Sequence, residues 1–134
     1  MTITLTDQDK QTLRTAAYGA VSLLAAAGGA GKPHKIATNG TIALTSATGL
    51  VGHVLADKSR GVSLKGKSVA ELADHVLPAL TDSMTLLKKD APAEADNFRS
   101  TVVIAIEAAQ IHQAVPNPAM TDMVRKITAA LDAA

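Results

Sequence analysis

The sequence predicts an all-α protein, a compact single-domain bundle of five to seven helices over residues 1–134 around one central apolar helix. Three observations predict it. The first is the stretch 98–113, FRSTVVIAIEAAQIHQ, which between Thr101 and Ala109 carries a single charge, Glu107. A helix apolar nearly all round is normally buried, so this one is expected at the centre. The second is composition: Tyr18 and Phe98 are the only aromatics in an alanine-rich chain. Strands depend on aromatic and β-branched packing, whereas Ala and Leu favour helix. The third is punctuation, because the apolar stripes recur at helical spacing between recognisable start and stop signals.

Each element follows in order. Thr6 and Asp9 suit an N-cap and first turn, and Leu13, Ala16, Ala17, Ala20, Leu23, Leu24 and Ala27 then form one stripe. Gln8, Gln11, Thr12, Thr15, Gly19 and Ser22 form the opposite, polar stripe, and Gly28-Gly29 ends the helix. Residues 34–58 admit two readings. Asn39-Gly40 between short β-compatible runs resembles a type I′ hairpin. Gly40, Ala43, Leu44, Ala47, Val51, Val54 and Leu55 also keep helical spacing, and a lone hairpin would be hard to stabilise, so helix is predicted. Gly40, Gly49 and Gly52 each cost that helix about 1 kcal/mol relative to Ala, which suggests close helix contact.

Residues 58–67 read as a basic loop. Ser68-x-x-Glu71 is a capping box for the next helix, with Val69, Leu72, Ala73, Val76, Leu77, Leu80, Met84 and Leu87 inward. Glu71, Asp74, His75, Pro78, Asp82, Thr85 and Lys89 fall on its other face, and Pro78 predicts a bend or a break there. Asp90 is expected to cap the central helix, with Pro92 in its first turn. Val115-Pro116 stops that helix, and Asn117-Pro118 opens a last one with Met120, Met123, Val124, Ile127 and Leu131 inward.

No catalytic motif emerges. Gly28-Gly29-Ala30-Gly31-Lys32 lacks the first glycine of a phosphate loop, has Pro33 after the lysine, and follows a helix rather than a strand. Without Cys there is no thiolate chemistry, disulfide or Cys-ligated zinc, and no GxSxG elbow is present. His53, Glu71, His75, Glu107 and His112 are the candidate metal or small-molecule ligands, although the pairs His53/Asp57 and Glu71/His75 equally suit a solvated helix face. Glu107 is expected to face water along an edge with Asp96, Arg99, Ser100, Val103 and Gln110.

Charge is unevenly distributed. Lys32, Lys35, Lys58, Arg60, Lys65 and Lys67 stand against Asp57 alone, a local balance of +5, while residues 68–134 hold five bases and nine acids, a balance of −4. The two segments are expected to meet, within one molecule or between copies. Nucleic acid is an unexpected partner, because the basic residues have no aromatics among them for base stacking. No apolar run approaches the ~20 residues of a membrane span, and residues 1–9 lack the regions of a signal peptide.

Leu5-Thr6 and Thr12-Leu13-Arg14, leading into an Ala-rich helix that ends at Ala27-Gly28-Gly29, resemble the tellurite-resistance TerB-like helical family. Ala91-Pro92-Ala93-Glu94-Ala95 with Phe98 resembles the opening of that family's long central helix. The resemblance implies an all-helical fold. The family's metal-binding acids are not matched: Gly28 stands where an Asp is expected, and Lys32 and Lys35 where acids are expected. The expected function is therefore a non-enzymatic interaction or oligomerisation module of TerB-like type. It is expected to be cytoplasmic and cofactor-free, and to bind a second copy or another protein. The alternative is a metal- or small-molecule-binding helical protein, enzymes included, that uses the His and carboxylate residues named above.

Overall fold

The computed structural model describes residues 5–27, 33–56, 68–110 and 118–134, with the backbone alone for 33–37. Among these residues it has six helices and no strand: α1 (Asp7–Ala27), α2 (Pro33–Thr45), α3 (Gly49–Ala56), α4 (Val69–Asp90), α5 (Pro92–Gln110) and α6 (Pro118–Asp132). The all-α bundle expected from the sequence is the fold observed.

Its start signals work as chemistry. The Asp9 N–H donates to Thr6 Oγ1 (3.0 Å) and the Thr6 N–H donates back to Asp9 Oδ2 (3.1 Å), so α1 opens on a reciprocal capping box. Ser68 Oγ accepts the Glu71 N–H at the head of α4 (3.2 Å). Gly28-Gly29, the basic loop and Asn117 lie outside the described residues.

The core is aliphatic, as the composition requires. Leu13, Leu23, Leu24, Leu44, Leu55, Leu80, Leu87, Phe98, Ile127 and Leu131 are fully buried, and Val102, Ile106 and Ala109 are buried with them. The helix α5 is central, as expected, and α1 shares that position. Both α1 and α5 pack against all five other helices, but α1 buries eleven residues and α5 seven. Ile104 of α5 is 56% exposed. The reason lies in the small residues of α1. Thr15 and Gly19, read from sequence as part of an outward stripe, are covered by α4. A Cβ on Gly19 would sit 2.5 Å from Val76 Cγ2, so glycine is what lets the two helices touch. Ser83, also buried, donates to Ala79 O (2.7 Å) and reaches Thr12 O (3.4 Å) across the same seam.

Four local expectations are also corrected, in whole or in part. The described part of the segment, 34–56, forms two helices, because Thr45 Oγ1 and Ser46 Oγ both donate to Ile42 O and compete with the ladder, and Gly49 takes φ +74°, which no right-handed helix accommodates. Of the bend or break expected at Pro78, the break is absent: α4 runs unbroken through this exposed residue. Asp90 belongs to α4 instead of capping α5. The helical bonding of α4 extends to the Ala91 N–H on Leu87 O, so Asp90 cannot adopt a cap's extended backbone, and Ala91 O takes the Glu94 and Ala95 N–H groups. Val69, expected inward, is 38% exposed in the first turn of α4.

Candidate functional site

An isolated helix of eight residues is unstable in water, and α3 is held from both ends by its neighbours. At its start the Leu50 N–H donates to Glu94 Oε1 of α5 (2.6 Å), placing a carboxylate at the positive end of the helix dipole. Asn97 Nδ2 donates to Thr48 O (2.9 Å) and to Glu94 Oε2 (3.2 Å). A Cβ on Gly49 would meet Glu94 Oε1 at 2.8 Å, so glycine is required there for space as well as for its φ. At the other end two α1 side chains one turn apart serve the last carbonyls: the Tyr18 hydroxyl donates to Leu55 O (2.6 Å), and Arg14 Nη1 approaches Val54 O (3.5 Å).

Arg14 is 1% exposed, and its Nε and Nη2 groups have no hydrogen-bond partner among the described residues. Sequence reasoning passed over both roles. The available signal was an arginine set between Leu13 and Ala16 on the stripe side of an alanine-rich helix. Burial pushes the Tyr18 hydroxyl above its ordinary titration range, with the nearby Arg14 charge pulling in the opposite direction. As Tyr18 is the only tyrosine, the phenolate absorbance of the folded protein should rise at a higher pH than the ordinary value of about 10. A raised folded-state value stabilises the neutral form. That contribution is full below the unfolded value and is lost as pH rises through the folded one, so it fails on the alkaline side. A midpoint at or below that of free tyrosine would contradict the burial.

Tying α3 to α5 also fixes the outer surface of α2. The 48–97 contact sets the end of α2 against the start of α5, and α2 packs back along α5 from there. Ile42 lies three residues before the end of α2, and Ile104 lies on α5, which packs against α2. They are 58% and 56% exposed. Around them the chain bears no Asp, Glu, Lys or Arg from Thr38 to Ala56, although Thr38, Ile42, Thr45, Ser46, Thr48, His53 and Ala56 all face solvent. Asp96 and Glu107 are exposed on α5.

The candidate ligands of the sequence reading are not brought together. His53 is exposed on α3, Glu71 and His75 on the outer face of α4, and Glu107 on α5, while His112 lies outside the described residues. Among the described residues no group of three His, Asp or Glu side chains is gathered to hold a metal ion. His75 lines a groove of about 510 Å³ between α1 and α4, together with Asp74 and Asp82. Lys32, Lys58, Arg60, Lys65 and Lys67 lie outside the described residues, as does the side chain of Lys35, and with them the expected meeting of the basic and acidic segments. No helix among the described residues is long and apolar enough to cross a membrane. No family model matches the chain, and neither a curated protein nor a solved structure does.

Proposed function

We propose that the chain is a non-enzymatic interaction module that pairs with a second copy of itself through the uncharged α2–α3 surface and the adjoining α5 edge. The observation that carries this reading is the charge-free outer surface from Thr38 to Ala56, with Ile42 and Ile104 exposed on two helices that pack together. Depletion of charge marks the centre of protein interfaces. The choice of a second copy follows from symmetry. A twofold contact presents the same patch from both sides, so every charge near its centre opposes a like charge. Exposed Asp74 with Asp82, Lys88 with Lys89, and Arg125 with Lys126 would all meet their own kind. The α2–α3 surface brings no such charge to its copy, and the nearest on the adjoining edge is Glu107, one turn along α5 from Ile104.

A TerB-like relationship, resting on the residues quoted for it, and a cytoplasmic setting, with which the absence of cysteine accords, are proposed alongside. Sedimentation at physiological salt tests the pairing. We expect a reversible dimer at about 100 µM protein, weak as a small interface should be. Ile42→Lys with Ile104→Lys should give a monomer of unchanged thermal stability, since both sites are exposed. A monomer at every concentration, or a dimer indifferent to both changes, contradicts the reading.

A further inference from the structure

We infer that α3 is a lid over the Arg14 guanidinium, which undocks and unravels as one unit while the other helices stay folded. Three observations carry this. The first is that α3 has little of its own to hold it. It has eight residues, too few to persist as a helix away from its neighbours, so it is helical only while docked. It buries Val51, Gly52, Val54 and Leu55, against eleven residues in α1.

The second is what the docked helix covers. Arg14 is 1% exposed, and its hydrogen bond among the described residues, from Nη1 to Val54 O at 3.5 Å, reaches the last turn of α3. Its Nε and Nη2 groups are buried without a partner among those residues. Closing α3 over Arg14 therefore exchanges the hydration of a guanidinium for one long hydrogen bond, and opening it lets water return. The third is that the bundle holds together without α3. The helices α1 and α5, on which α3 lies, also pack against each other and against α2, α4 and α6, whereas α3 touches neither α4 nor α6 among the described residues. Lifting α3 leaves the contacts among the other five helices in place.

What keeps the lid shut is the bond of the Leu50 N–H to Glu94 Oε1 and that of the Tyr18 hydroxyl to Leu55 O, both 2.6 Å, with three apolar side chains between them. What opposes it is one dehydrated charge. A short element so balanced opens at a lower free energy than the whole chain unfolds, and the open form presents Arg14 and the Tyr18 hydroxyl to solvent. The opening belongs to a single copy and stands apart from the pairing proposed above.

Native-state hydrogen exchange of the whole chain, read by mass spectrometry at about 1 µM protein, well below the concentration at which pairing is expected, tests it. We expect the amides of α3 to exchange at least a hundredfold faster than those around Leu80 and Met84 in α4, and low denaturant to accelerate α4 alone. Ile127→Val, in the core of α6, should speed α4 several-fold and leave α3 unchanged. Arg14→Met should slow α3 at least fivefold. Glu94→Ala, which removes the acceptor of the Leu50 N–H, should speed α3 at least fivefold. Modification of Arg14 by phenylglyoxal, located by peptide mapping, should accelerate in Glu94→Ala by the same factor as the exchange. Thermal melting confirms that the variants fold, and the comparison of α3 with α4 in the parent needs no variant. Exchange of α3 in step with α4 across denaturant, α3 rates unchanged by Arg14→Met, or Arg14 modification that does not follow the exchange of α3 would overturn the inference.

Discussion

Replacing Ile106 with aspartate is expected to lower the stability of the protein by about 4 kcal/mol or more, the largest effect of any single change considered. Ile106 is 3% exposed, on the inward side of α5, and shares the core with Val102 and Ala109 one turn to either side. Two costs combine. Deleting the aliphatic side chain leaves a cavity, for which isoleucine-to-alanine changes alone cost about 2–5 kcal/mol. The introduced carboxylate then has to ionise in an apolar surrounding or take up a proton to avoid doing so. Ile106→Val provides the comparison and should cost only about 1 kcal/mol, because one methylene is lost and no polarity is added. Chemical denaturation of both variants checks the pair. Near-equal stability of the aspartate and valine variants would mean that α5 does not lie against the core.

The second large effect has the opposite sign. Arg14→Met is expected to stabilise the protein by about 1–4 kcal/mol, in the manner of buried ionic groups replaced by apolar residues of similar volume. Arg14 is almost completely buried, and two of its nitrogen groups lack partners among the described residues. Its hydrogen bond to Val54 O, among the described residues, is 3.5 Å long, so breaking it gives up little. Methionine keeps the unbranched stem packed and removes the charge, and Tyr18 still serves Leu55 O. Arg14→Ala separates the contributions: it removes the charge too but opens a cavity, so it should fall well below the methionine variant. A methionine variant several kcal/mol less stable than the parent would show that the guanidinium holds a strong acceptor, and the assignment of Arg14 as an under-satisfied buried charge would be wrong.

Most of the bundle was legible because its signals are local. Thr6 with Asp9 and Ser68 with Glu71 announce two helix starts through side chains that bond their own first turns. The stripes of α1, α4 and α6 are regular enough to give Leu13, Leu80, Met84, Ile127 and Leu131 as core. What the sequence hid was settled by tertiary contacts. Apolarity pointed to α5 as the centre, but α1 is more enclosed because Gly19 and its alanines admit neighbours closely on more than one side. The break between α2 and α3 turns on one positive φ at Gly49 and on a carboxylate from forty-four residues away, neither visible in periodicity. The candidate surfaces were concealed for the same reason. An uncharged run from Thr38 to Ala56 reads equally as core, and only the folded chain turns Ile42 outward. The stripe of α4 puts Asp74 and His75 on its outer face, while the α1 wall opposite them depends on how the two helices cross.

The central claim, that two copies meet through the α2–α3 surface and the edge of α5, is tested most directly by site-directed cross-linking, for which a chain without cysteine is well suited. Ile42→Cys, Ile104→Cys and an equimolar mixture of the two would be treated with a short bifunctional thiol reagent. Thr85→Cys, at an exposed site on α4, would serve as control. A twofold contact at this face brings at least one of the pairs 42–42, 104–104 or 42–104 within reach between copies. A covalent dimer is expected from at least one of the three samples, formed much faster than any from Thr85→Cys and suppressed when the second isoleucine is changed to lysine. Cross-linking no faster at positions 42 and 104 than at position 85 would contradict it.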